Sequence, residues 1–192
     1  MKKLVVASNN KGKIKEIKAI LGGVYDVVTM GELGYNEDVE ENGITFFKNA
    51  LIKAKTVCMA LNMDALADDS GLCVDALNGA PGVYSARYSG GHGNDKDNNA
   101  LLLKNLDGAS DRSAKFCSSV VLYKTDGTYI EGYGETLGTI LFSEEGQNGF
   151  GYDPLFYSKD LNKSFGLATA EEKNAVSHRY RALCNLFDKI GK

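Results

Sequence analysis

Leu4-Val5-Val6-Ala7 is an apolar run, and the next six residues, Ser8-Asn9-Asn10-Lys11-Gly12-Lys13, contain no large apolar side chain. Ile14, Ile17 and Leu21 then return at helical spacing before Gly22-Gly23. A short apolar run bounded by polar residues reads as a buried strand, and apolar residues three and four apart read as one face of a helix. The paired glycines end that helix. Strand, polar loop and helix in this order open an α/β fold.

The pattern continues outward from there. Tyr25 to Val28 is a second strand, and the acidic stretch from Asn36 to Gly43 is a loop. Phe46 to Leu61 is a longer helix with Phe47, Ala50, Ala54, Val57 and Leu61 on its buried side. Ala65 to Ala67 is a short strand that leads into Asp68-Asp69-Ser70-Gly71, and Gly79-Ala80-Pro81-Gly82 is a turn. After a Gly- and Asn-rich loop from Ser89 to Asn94, a helix runs to Leu106. Ser113 to Tyr123 and Thr128 to Phe142 are two strands joined at Thr125-Asp126-Gly127. Gly149 to Pro154 is a constrained loop, and Val176, Tyr180, Leu183, Phe187 and Ile190 mark a C-terminal helix. Helices alternate with strands first and a hairpin comes later, so the expected architecture is α/β, a mixed sheet flanked by helices.

Composition excludes several classes. The 192 residues are 43% hydrophobic and 24% charged, ordinary for a globular chain. A net charge of −3 gives no general attraction for nucleic acid or an acidic membrane, so neither is an expected partner. Positive charge for an anionic ligand must therefore be gathered locally. Cys58, Cys73, Cys117 and Cys184 lack C-x-x-C spacing, which argues for buried free thiols rather than a zinc site. No apolar run is long enough for a signal peptide or a membrane span, and the expected location is the cytoplasm.

Five clusters carry chemistry. Ser8 to Lys13 stands at a helix N-terminus, where unpaired N–H groups and Lys11 and Lys13 suit a phosphate, although the G-x-x-x-x-G-K-[ST] spacing is absent. Asp68 and Asp69 repel one another at a strand end unless a cation lies beside them, and Mg²⁺ favours such carboxylates together with phosphates and water; the alternative is a turn with self-bonded Asp side chains. Glu40 and Glu41 are a second acidic pair. Asn49, Lys53 and Thr56 form a polar stripe that is either a solvated edge or a way of turning Lys53 toward the same anion as Lys13. Phe150-Gly151-Tyr152-Asp153-Pro154, and Lys173 with Ser177-His178-Arg179, offer rings to stack on a base and donors for its edge; the alternatives are core aromatics and a surface Arg179. His92 is given no role.

Together, Ser8-Asn9-Asn10-Lys11-Gly12-Lys13, Glu41-Asn42-Gly43-Ile44-Thr45-Phe46, Ala67-Asp68-Asp69-Ser70-Gly71-Leu72, Gly79-Ala80-Pro81-Gly82, Phe150-Gly151-Tyr152-Asp153-Pro154 and Glu172-Lys173-Asn174-Ala175-Val176-Ser177-His178-Arg179 resemble the inosine triphosphate pyrophosphatase family, the non-canonical purine NTP pyrophosphatases. The likeness runs from about residue 3 to residue 187. It implies a single domain over residues 1–192, elongated, with two lobes around a central cleft, and usually a homodimer. It implies Mg²⁺-dependent hydrolysis of ITP, dITP and XTP to the monophosphate and pyrophosphate, which clears them from the nucleotide pool.

By the same resemblance Asp69 is the general base and a metal ligand, with Glu40 the second ligand and Glu41 its competitor, and Asp68 supports the metal shell. Ser8, Asn9, Asn10, Lys11, Gly12 and Lys13, with Lys53, hold the triphosphate. Ser70, Phe150, Gly151, Tyr152, Asp153, Lys173, His178 and Arg179 select the base. Two positions depart from the family pattern: Lys48 stands where an acidic residue is expected, and Asn9 where many relatives carry Gly. A pyrimidine-specific pyrophosphatase and a triphosphate sensor without hydrolysis are the competing readings, separated by a substrate panel.

Overall fold

The computed structural model describes residues 2–91 and 93–190, so His92 lies outside the described residues. The strands are β1 (Lys2–Val6), β2 (Tyr25–Thr29), β3 (Ala65–Val74), β4 (Ser113–Tyr123), β5 (Tyr129–Ile140), β6 (Phe156–Ser158) and β7 (Lys163–Ser164). The helices are α1 (Lys11–Leu21), α2 (Phe46–Leu61), α3 (Asp95–Asn105), α4 (Ala170–Val176) and α5 (His178–Ile190). The strands form one mixed sheet in the order β2-β1-β3-β4-β5-β6-β7. β1 runs parallel to β2, with Leu4 opposite Val27, and parallel to β3, with Val5 opposite Ala65. β6 is antiparallel to both β5 and β7. No helix among the described residues is long and apolar enough to cross a membrane.

The chain divides into two compact units. The first holds the described residues of Met1–Asp69, Ser118–Gly134 and Arg179–Lys192; the second holds those of Ser70–Cys117 and Glu135–His178. In the first unit β1 and β3 are apolar on both faces, as strands covered on two sides must be. Leu4, Val6 and Leu66 pack with Ile17 and Leu21 of α1 and with Ala182, Leu183 and Leu186 of α5. Val5, Ala7, Ala65 and Ala67 pack with Ala50, Ala54, Val57 and Cys58 of α2. Each fully buried Leu or Val in these layers contributes about 1.5–3 kcal/mol of transfer free energy. α5 lies so close on β5 that a Cβ at Gly132 would stand 2.1 Å from the Ala182 carbonyl oxygen. In the second unit Leu72 and Val74 pack with Leu102 of α3, with Leu106 just after it, and with a cluster of Phe116, Phe156 and Phe165, whose first two ring centroids are 4.6 Å apart.

Three expectations from the sequence need correction, and one open alternative is decided. β3 does not stop at Ala67 but continues through Asp68 to Val74, so the paired aspartates sit inside a strand rather than at its end or in a turn. The polar run survives there because its carboxylates meet buried cations. The C-terminal pattern is two helices broken at Ser177, whose backbone is extended at φ −67 and ψ 153. The buried face of α5 is therefore Arg179, Ala182, Leu183 and Leu186, whereas Tyr180 and Ile190 are exposed. Of the two readings left open for the polar stripe of α2, the solvated edge is set aside, because Asn49 and Lys53 are buried. Of the four free thiols only Cys58 and Cys117 are buried; Cys184 is exposed. The short strands β6 and β7 escaped the sequence reading because three- and two-residue strands are too brief to show a period.

Candidate active site

Successive residues of a strand point to opposite faces, and this separates Asp68 from Asp69. Asp68 follows Leu66 onto the face covered by α1 and α5. It is fully buried, 2.9 Å from Lys13 Nζ and 3.1 Å from a terminal nitrogen of Arg179. Ser118 of β4 donates its hydroxyl proton to the other carboxylate oxygen. Arg179 also pairs with Glu16 of α1, and its guanidinium is almost wholly buried. Burial alone would raise the Asp68 carboxyl, but Arg179, Lys13 and Ser118 outweigh it and hold the group well below the usual carboxylate range. Asp68 is thus an anion at neutral pH that anchors two cations.

Asp69 follows Ala65 and Ala67 onto the α2 face. Its Oδ1 lies 3.6 Å from Lys53 Nζ, and Lys53 also donates to Glu41 at 2.8 Å and to the Asp68 carbonyl at 2.9 Å. Its Oδ2 is buried and makes no hydrogen bond among the described residues. Burial raises the Asp69 carboxyl; Lys53 and Lys13 pull it back only in part, so it stays above its ordinary value. Burial works the other way on Lys53, yet Asp69 and Glu41 more than compensate and its ammonium is held more tightly than usual. Two adjacent aspartates therefore have opposite characters, one locked and one with an oxygen left open.

The remaining phosphate-type residues gather at the start of α1. The Asn10 side chain caps the helix by accepting the Lys13 N–H at 3.0 Å, and Ser8 Oγ accepts the Asn10 N–H at 3.1 Å. Asn9, Asn10 and Lys11 are exposed, and Gly12 and Lys13 half-buried. Asn9 donates to Asp38 at 2.8 Å, which ties this loop to the acidic one. Lys13 Nζ also lies 3.4 Å from the Asp68 carbonyl, so Lys13 and Lys53 do converge on one residue. Of the two glutamates, Glu41 is the one brought to Lys53, while Glu40 is solvent-exposed.

The second unit assembles another group. Asp153 and Lys173 are both buried and 2.5 Å apart, and the Phe150 N–H donates to the same Asp153 oxygen at 2.8 Å. Lys173 Nζ stands 4.7 Å from the centre of the Phe150 ring, within cation–π range. Gly149 has φ +78, and a Cβ there would collide with Asp153 Oδ2 at 2.0 Å, so only glycine permits this turn. Gly151 donates its N–H to Asp95 at 2.8 Å, and Tyr152 is buried with its hydroxyl donating to the Ser85 carbonyl at 2.8 Å. The His178 ring stacks on Phe116 with centroids 4.9 Å apart. Ser70 is half-buried on β3. Arg179, expected at the edge of a base, is instead placed with Glu16 and Asp68.

Sequence reasoning missed Glu16 and Ser118, and gave Asn49 no role of its own. Glu16 carried one signal: it precedes Ile17 on a face that buries, and it lies one turn after Lys13.

Fold and site define an α/β protein whose inner strand carries one locked and one open carboxylate beside the buried Lys53 and the half-buried Lys13. Residues 4–189 match the Ham1 family, and the chain belongs to that family. It is 46% identical to the dITP/XTP pyrophosphatase of Clostridium perfringens, over 99% of this chain and 98% of that protein. It is also 46% identical to the dITP/XTP pyrophosphatase of Geobacter sulfurreducens, over 100% of this chain and 98% of that one. Among solved structures, the Staphylococcus aureus Ham1 protein superposes with a TM-score of 0.87 at 42% identity, covering 100% of both chains. The Coxiella burnetii HAM1 protein gives 0.88 at 37% identity, over 100% of this chain and 99% of that one.

Proposed function

We propose that this chain hydrolyses faulty purine nucleoside triphosphates, ITP, dITP and XTP, between the α- and β-phosphates, releasing the monophosphate and pyrophosphate and so clearing them from the nucleotide pool. It is a nucleoside triphosphate pyrophosphatase, a hydrolase of phosphoanhydride bonds. The observation that carries this reading is Asp69, a buried carboxylate with one oxygen unbonded, beside Lys53 and Glu41 and back to back with an Asp68 that fixes Lys13. The names of the relatives, close to this chain in sequence over its whole length, support the substrate class.

The same residues fit a divalent cation. Asp69 and Glu41 offer oxygen ligands, and no group of three or more His, Cys, Asp or Glu is gathered for a metal among the described residues. A hard ion that keeps several waters and shares substrate phosphates suits two carboxylates, and that is the habit of Mg²⁺. When bound, Mg²⁺ supplies charge neutralisation and polarises the attacked phosphorus. A triphosphate carries several negative charges, and an exposed helix terminus is worth only about 0.3–1 kcal/mol, so Lys11, Lys13 and Lys53 must do most of the protein's share. Asp69 accepts the proton of the attacking water. Asp68 keeps Lys13 in place throughout, because its charge is not lost at working pH.

The base is assigned to Phe150, Lys173 and His178. Phe150 is the stacking surface, and Lys173 and His178 are donors for the 6-oxygen that inosine and xanthine share. Adenine presents an amino donor at that position, and a site built on such bonds rejects the wrong partner by about 10⁴-fold. Homodimer formation goes with this reading and is checked by the elution volume of the purified chain. The deciding experiment measures pyrophosphate from ITP and XTP against ATP, GTP, CTP and UTP, with and without a chelator. Preference for ITP and XTP that disappears on chelation is the expected result; orthophosphate as product, or indifference to the base, would overturn it.

A further inference from the structure

Asn49 belongs to neither the phosphate group nor the base group, yet it is completely buried. It sits on α2 four residues before Lys53, and side chains at that spacing share a helix face. Its Oδ1 accepts the Gly43 N–H at 2.8 Å. That bond settles the orientation of the amide, since an N–H can face only the oxygen end. Nδ2 is then turned the other way, buried, with no hydrogen bond among the described residues. Asp69 Oδ2 is in the same condition, and a weak side-chain hydrogen bond from Asn49, short of well-formed geometry, is among the influences that draw the Asp69 carboxyl downward. Buried polar atoms without a well-formed hydrogen bond are rare in folded proteins and call for an explanation.

The loop side is equally constrained. A Cβ at Gly43 would lie 2.6 Å from Asn49 Oδ1 and 2.8 Å from Lys48 Cβ. Gly43 is thus pressed onto the start of α2, and the loop is pinned two residues after Glu41, whose carboxylate reaches Lys53 at 2.8 Å.

We propose that Asn49 is a positioning residue for the carboxylate pair: its oxygen fixes the loop that delivers Glu41, and its amide nitrogen is a donor reserved for the open edge of Asp69. One side chain thereby sets the spacing between the two groups assigned to the divalent ion, so this inference rests on the proposed function. Residues behind the ligands of a metal site typically alter affinity by about 10–100-fold when replaced.

The test uses the purified full chain and Mn²⁺ as probe, titrated calorimetrically without nucleotide, alongside kcat and KM for ITP. Asn49→Leu loses both bonds and is expected to weaken Mn²⁺ binding at least about tenfold and lower kcat by about 10²-fold, with KM changed less than about threefold. Gly43→Ala leaves Asn49 in place but displaces the loop, and is expected to weaken Mn²⁺ in the same direction; it keeps the test alive should Asn49→Leu not fold. Asn49→Asp retains the acceptor for Gly43 and loses the donor to Asp69, so Mn²⁺ binding is expected to weaken less than in Asn49→Leu while kcat still falls at least about tenfold; Mn²⁺ binding as weak as in Asn49→Leu would overturn the role given to the oxygen. Mn²⁺ affinity and kcat within about threefold of wild type in a folded Asn49→Leu would overturn the proposal while leaving the function intact. A wild-type chain that neither binds Mn²⁺ nor releases pyrophosphate from ITP would overturn the function, and this inference with it.

Discussion

At the scale of single residues, the two aspartates of β3 predict opposite mutant phenotypes. Asp69→Asn is expected to lower pyrophosphate release at least about 10²-fold, the lower end of what a general base contributes, with the fold kept; a variant retaining a tenth of the wild-type rate would remove Asp69 from that role. Asp68→Asn leaves the half-buried Lys13 without its carboxylate and the buried Arg179 with Glu16 alone, and breaking one partner of a buried pair costs about 3–5 kcal/mol, read as a lower midpoint in urea. The pH dependence has a definite sign. Asp68 is held below the ordinary value of 3.8, so its contribution is fully present above 3.8 and is lost as pH falls through the depressed value. Acid titration of the Asp68→Asn chain should show a smaller loss of stability below that point than the wild type does.

Elements explain why part of this was legible in sequence and part was not. α2 was readable to the residue because its apolar positions recur at helical spacing between Thr45, whose side chain accepts the Lys48 N–H, and Asn62, which takes the left-handed conformation at φ 49. That helix is also imperfect. Thr45 caps Lys48, but Lys48 cannot return the bond as a Glu at that position does, and it sets a cation in the first turn. Lys48→Glu is expected to raise stability by about 0.5–1 kcal/mol in thermal melts at low salt, and to lose most of that gain at high salt. α4 already carries the complete box, in which Thr169 and Glu172 cap each other. By contrast, Asp68-Asp69-Ser70-Gly71 looked like the end of a strand because local polarity is the only signal a short window offers. Lys13, Ser118 and Arg179, which let the strand continue, are distant in sequence. The break at Ser177 is not legible in sequence, because neither Gly nor Pro marks it.

The whole molecule is woven rather than strung. The chain leaves one unit for the other between Asp69 and Ser70, again between Cys117 and Ser118, between Gly134 and Glu135, and between His178 and Arg179. Neither unit is a continuous segment, so neither should be obtainable as a fragment. A chain ending at Ser177 lacks Arg179 and the α5 residues Ala182, Leu183 and Leu186 of the first core, and is expected to show no cooperative melt by circular dichroism. Retention of a sharp transition in that truncation would mean α5 is an accessory. The alternation along β3 carries one more consequence, for how the chain can change length. Which aspartate is locked and which is open depends on odd or even position counted from the buried start of the strand at Ala65. An insertion of one residue between Ala65 and Asp68 would turn each aspartate to the other face, and an insertion of two would restore the faces but carry both carboxylates about 6–7 Å along the strand, away from Lys13, Arg179 and Lys53, so the centre is guarded by strand length as well as by residue identity.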